Sequence, residues 1–162
     1  MHKHIVLFVV FIVFSSCAKD VVFSEYKSIS NEAWHKDTIV KFTFNAIDTI
    51  SQNAIYVNLR NNKNYNFNNL FLIVGVDFPN NTKITDTLEY KMTDEKGYFL
   101  GTGITDIKEN KLEFRTNTTF PVKGKYRFHI QQAMRKNGKE NGILQLKGIT
   151  DVGIQIEKIA KK

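Results

Sequence analysis

Apolar and polar positions alternate with a period of two along most of the chain beyond residue 39. Val40, Phe42 and Phe44 oppose Lys41 and Thr43, and Ile55, Val57 and Leu59 oppose Tyr56, Asn58 and Arg60. Asp86, Leu88, Tyr90 and Met92 share a parity against Thr87, Glu89 and Lys91. Tyr126, Phe128 and Ile130 face away from Arg127, His129 and Gln131, and Val152, Ile154 and Ile156 from Gly153, Gln155 and Glu157. Successive side chains of a strand point to opposite faces, so each run predicts a half-buried strand. Leu70 to Val76 is continuously apolar and predicts a strand covered on both faces or at a sheet centre. Leu112 to Arg115 and Tyr98 to Gly101 are shorter candidates.

Turn chemistry separates these runs. Phe78-Pro79-Asn80-Asn81, Asp94 to Gly97, Pro121 to Gly124 and Gly138 to Gly142 supply the fixed φ of proline and the positive φ open to glycine and asparagine. With almost no helical periodicity, the pattern predicts an all-β fold, an antiparallel two-sheet β-sandwich of about seven to eight strands. Thirteen Phe and six Tyr suit facing sheets about 10 Å apart. One domain is expected over residues 31–162, undivided by any proline-rich or glycine-serine linker.

The N-terminus follows a different pattern. Met1-His2-Lys3-His4 is basic, Ile5 to Phe14 is unbroken and apolar, and Ser15-Ser16 precedes Cys17, the only cysteine. About ten apolar residues are too few for a spanning helix, which needs roughly twenty. The order of charge, apolar run, small residues and thiol matches a lipoprotein signal over residues 1–16, with Cys17 acylated by palmitate-type chains after cleavage. Residues 17–30 are then a lipidated N-terminus and tether. Several acyl chains suffice for stable anchoring, so the membrane partner is engaged through lipid. A residue other than Asp after the cysteine fits outer-membrane sorting, while Lys19-Asp20-Val21 is an incomplete version of a surface-export signal. The periplasmic or surface facing of a lipid-anchored envelope protein stays open.

The net charge of +7 is moderate, and its lysines are scattered. No basic stripe interleaved with aromatics suggests a nucleic-acid partner. His35 and His129 lack metal-ligand spacing to other ligands, no serine sits in a Gly-x-Ser-x-Gly elbow, and no glycine-rich phosphate loop is present. The reading is therefore of a protein that is not an enzyme, with no metal, no cofactor and no small-molecule ligand expected.

Mixed polar and aromatic clusters stand out instead. Six short segments occur in order: Trp34-x-Lys36-Asp37; Leu59-Arg60-Asn61 with Tyr65 and Asn69-Leu70; Asp86-Thr87-Leu88 with Gly97 and Gly101-x-Gly103; Gly124-x-Tyr126-x-Phe128; Gln132-Ala133-Met134-Arg135; and Gly148-Ile149-x-Asp151-Val152-Gly153. With the leader, they make the chain resemble the gliding-motility lipoprotein family GldH of bacteroidete bacteria. The resemblance implies a non-enzymatic component of gliding motility, associated with the type IX secretion machinery and partnered by other gliding or secretion proteins. The stretch from Lys136 to Lys147 departs from it, being polar and rich in lysine and glycine, and predicts a loose connection.

Trp34, Arg60, Tyr65, Met134 and Arg135 are the candidate partner interface, since Trp and Arg are enriched where binding energy concentrates. The structural alternative has Trp34 plugging one end of the sandwich and Arg60 pairing with Asp37 or Asp86. Thr38, Thr49 and Thr87 follow aspartate and precede an apolar residue, a pattern of O-glycosylation acceptors that also marks the start of a strand. A second functional reading is a surface-exposed carbohydrate-binding lipoprotein, in which Tyr65 and Phe67 stack on sugars beside amide side chains.

Overall fold

The computed structural model describes residues 20–136, 138 and 140–160; the leader, Cys17, Ala18-Lys19 and the lysine pair at 161–162 lie outside them. Among the described residues ten strands follow one another: β1 (Asp20–Ser28), β2 (Ala33–His35), β3 (Val40–Ala46), β4 (Asn53–Asn61), β5 (Asn69–Asp77), β6 (Lys83–Lys91), β7 (Lys108–Thr118), β8 (Gly124–Gln132), β9 (Gln145–Lys147) and β10 (Ile149–Lys158). They form two four-stranded sheets, ordered β1-β10-β4-β7 and β3-β8-β5-β6, with a small β2-β9 pair beside them. All pairings are antiparallel.

The period-two runs supply the core between the sheets. Val57, Leu59, Val152, Ile154 and Ile156 from one sheet meet Phe42, Leu72, Val74, Phe128 and Ile130 from the other, all buried. At about 25 cal/mol per Å² of apolar surface, this burial is the main stabilising term. Leu70 to Val76 lies at a sheet centre, in β5 between β8 and β6, although its outward Phe71 and Ile73 are only half-buried. Arg115 on β7 pairs with Asp86 on β6, and Tyr90 Oη donates to Glu113 O at 2.8 Å, so one open side of the sandwich is stitched across the sheets.

The expected antiparallel two-sheet sandwich is what the chain forms; it carries a small third sheet besides, because β2 and β9 are too short for periodicity to reveal. Three expectations are corrected. The stretch expected to be tether through residue 30 contains β1, hydrogen-bonded to β10 from Asp20↔Lys158 to Ser28↔Asp151. β1 is an edge strand with a bulge between Val21 and Phe23, so its side chains do not alternate cleanly; backbone pairing holds it. Tyr98 to Gly101 forms no strand: it is loop, with Phe99 in an isolated bridge to Thr93 and Leu100 N donating to Met92 O at 2.9 Å. Finally, the stretch from Lys136 to Lys147, expected to be loose, contains β9, whose buried Leu146 opposes Trp34.

The connections divide between two ends. Residues 47–52, 78–82 and 119–123 turn at the end where β1 begins and β10 finishes. The longer connections 29–39, 62–68, 92–107 and 133–148 gather at the opposite, far end.

Candidate functional site

The far end is built around Gly148. Its φ is +85°, and a Cβ there would stand 2.2 Å from Tyr65 N and 2.6 Å from Asn64 C. Only glycine permits both that conformation and that approach. Gly148 N donates to Glu32 O at 2.8 Å, Asn62 N donates to Gly148 O at 2.9 Å, and Asn62 Nδ2 donates to Glu32 Oε2 at 2.6 Å. Tyr65 N closes the turn on Asn62 O, and Tyr65 Oη donates to Asn69 O at 2.6 Å. Asn110 Nδ2 ties Asn61 Oδ1 at 2.8 Å to the same corner. Three loops distant in sequence are thereby locked together.

This lock explains where the candidate interface residues go. Trp34 is fully buried with Nε1–H donating to Thr38 O at 2.9 Å, so it plugs the end of the sandwich. Tyr65 and Met134 are also core, at 3% and 2% exposure; Met134 Sδ accepts from Phe71 N, and Met134 N donates to Gln132 Oε1. Burial raises the Tyr65 hydroxyl pKa well above its ordinary value. These three side chains give the loops their shape and present no surface of their own. The burial of Tyr65 also removes it from any sugar-stacking role, leaving Phe67 partly exposed. Arg135 is exposed beside the Arg135↔Gly142 bridge.

Arg60 lies on the outer face of the β1-β10-β4-β7 sheet, and its partner is neither Asp37 nor Asp86. Its Nε donates to Glu109 Oε2 at 3.1 Å, and its guanidinium sits 4.4 Å from the Tyr26 ring centroid. Tyr26 Oη donates to Glu109 Oε1 at 2.6 Å. Burial and that hydrogen bond push the Tyr26 hydroxyl up to about 12. Burial alone would pull the Arg60 guanidinium down, but the bond and charge of Glu109 outweigh it and leave its pKa raised. Tyr26 fits because its strand partner is Gly153, where a Cβ would meet the Tyr26 ring at 2.8 Å. Beside it Ser28 Oγ and Thr150 Oγ1 both donate to Asp151, at 2.8 Å each. Sequence reasoning missed Tyr26, Glu32, Glu109 and Asn110, because their partners lie tens of residues away and no local spacing announces them.

Around this framework the far end exposes apolar side chains: Tyr98, Leu100, Ile104 and Ile107 on one loop and Leu144 on another. Asn64, Asn66, Phe67, Ile143 and Leu144 line an open groove of roughly 700 Å³. Thr38 and Thr87 are exposed and Thr49 is half-buried. Asp48, which precedes Thr49, is occupied as a turn residue, with Oδ1 accepting from Ile50 N and Ser51 N. On the outer face of the other sheet, His129 Nε2 lies 2.9 Å from Asp77 Oδ2, a pairing between β8 and β5. Among the described residues no three metal-ligating side chains cluster.

A family model described as GldH lipoprotein matches residues 21–156. The chain is 50% identical over 147 residues to the "Gliding motility lipoprotein GldH homolog" of Christiangramia forsetii, covering 91% of this chain and 90% of that one. It is 48% identical over 153 residues to the "Gliding motility lipoprotein GldH" of Flavobacterium johnsoniae, covering 94% of each. Among solved structures, VP2 of the infectious bursal disease virus subviral particle aligns with 85% of this chain and 30% of its own. The TM-score is 0.37, at 18% identity.

Proposed function

Because this chain belongs to the GldH lipoprotein family, a gliding-motility family of membrane-anchored envelope proteins, we propose that it is an assembly or accessory subunit of the gliding apparatus and its type IX secretion machinery. In this reading Cys17 is acylated, the anchor lies in the outer membrane, and the far end of the sandwich docks a protein component of the machine. The carrying observation is the convergence there of Trp34, Asn61, Tyr65, Gly101, Met134 and Gly148, residues of five separate segments, beneath an exposed apolar surface. A buried lock that shapes loops is what a docking surface needs, since preorganised loops lose less entropy on binding.

Photo-crosslinking in the native membrane tests this. A benzophenone side chain at Tyr98 or Leu144 should capture a discrete component of the machine, whereas one at Thr43, exposed midway along β3 on the outer face of the other sheet, should not. Leu144→Asp should reduce colony spreading with membrane levels unchanged, and Cys17→Ser should release a folded protein and abolish spreading. Capture of no machine component from the far end, or recovery of a bound glycan from the Phe67 groove, would overturn the reading; the glycan would favour the carbohydrate-binding alternative.

A further inference from the structure

We propose that the end of the sandwich from which the chain emerges rests in the head-group layer of a phospholipid bilayer, with Ile47 and Ile50 inserted among the lipids. This rests on acylation of Cys17. Only Ala18 and Lys19 separate Cys17 from Asp20, the first residue of β1. Three Cα steps of at most about 3.6 Å put the Cys17 Cα within about 11 Å of the folded sheet, whatever the path. An acylated Cys17 therefore draws this end of the domain onto the membrane surface.

The residues at that end match what they would meet. Asp20 pairs with Lys158, which pairs with Asn53, so the start of β1 stands in one row with the end of the 47–52 loop. That loop exposes Ile47 at 73% and Ile50 at 76%, and Val21 and Val22 are each 49% exposed beside it. Val22, Ile47, Phe44 and Phe120 line a common apolar cleft with Lys158 at its edge. Asp48 would oppose insertion if its charge stood free. Its Oδ2 instead accepts from Ser51 Oγ at 2.6 Å and Lys158 Nζ at 3.1 Å, while Oδ1 holds the loop backbone. The loop is thus a stiff wedge with both isoleucines turned outward. Lys123 and Lys125, exposed at the same end, add positive charge facing anionic head groups. The ten residues of β10, about 33 Å long at 3.3 Å each, then hold the far end roughly 30 Å above the bilayer.

The single thiol makes the geometry testable without relying on cellular acylation. Mature chain with Ile50→Trp or Leu144→Trp is coupled through Cys17 to a maleimide phospholipid in vesicles containing acyl-chain-brominated lipid. Trp34, buried in both, contributes equally. The expected result is at least twofold stronger quenching and a blue-shifted emission for the tryptophan at 50, reduced to the level at 144 by Ile47→Asp. Equal quenching at the two positions, or no effect of Ile47→Asp, overturns the proposal. The intact mass of protein extracted from native membranes reads the acylation separately: an unmodified Cys17 would sink that premise, while the quenching contrast would still report which end the tether presents to lipid.

Discussion

Replacing Gly148 with alanine isolates the contact that locks the far end. The alanine Cβ must occupy space 2.2 Å from Tyr65 N and 2.7 Å from Tyr65 Cα, atoms of the backbone that no rotamer change can move. Left-handed φ costs an L-residue about 1–2 kcal/mol, and overpacking typically adds about 1–3 kcal/mol. The expected loss is therefore about 2–5 kcal/mol, out of a total stability of about 5–15 kcal/mol for a domain of this kind. Gly97 supplies the control, with a φ of +84° but nothing within 4 Å of its Cβ position. Gly97→Ala should lose only the conformational part, about 1–2 kcal/mol. Urea unfolding of the Cys17→Ser protein, followed by circular dichroism, measures both. With a slope of about 1–3 kcal/mol per M, the Gly148→Ala midpoint should fall by about 1–2 M and clearly further than that of Gly97→Ala. Equal midpoint shifts for the two variants would refute the argument that Gly148 is held by steric contact with the Tyr65 backbone.

Two further predictions concern titration. The Asp77 carboxyl is held below its ordinary range, chiefly by the hydrogen bond from His129; its contribution to stability is present above about pH 4 and lost as acid takes pH through the lowered pKa. Asp77→Asn should flatten the acid limb of stability against pH, and an unchanged limb in a denaturation series would reject this. Tyr26, raised from about 10 to about 12, contributes stability that is full below pH 10 and lost as pH climbs through that window. Tyr26→Phe should delete one late tyrosinate transition in the ultraviolet titration, and Glu109→Gln should shift that transition back toward pH 10.

The alternation of side chains along the chain determines most of the fold by itself. Seven of the eight predicted segments are strands, because a period of two is a local property: each residue's face is set by its neighbours along the chain. Pattern did not reveal β1, β2 and β9. The first is an edge strand stabilised by backbone pairing, and the other two are three residues long, so neither kind leaves a periodic trace. The expectation of a lipoprotein leader likewise rests on linear information, on order and spacing alone. The family, too, is legible from six short segments in order.

Which of those conspicuous residues face outward was decided only by tertiary structure. Trp34, Tyr65 and Met134 resemble binding anchors in sequence, and they are core because the loops carrying them close over one end of the sandwich. Arg60 finds Glu109 and Tyr26, 49 and 34 positions away, through strand register. Gly148 is required by a backbone passing from residues 64 and 65, a steric fact with no sequence signature. Burial, ion pairing and close approach depend on which distant segments meet, and that is fixed when two sheets pack, not by the order of residues along either.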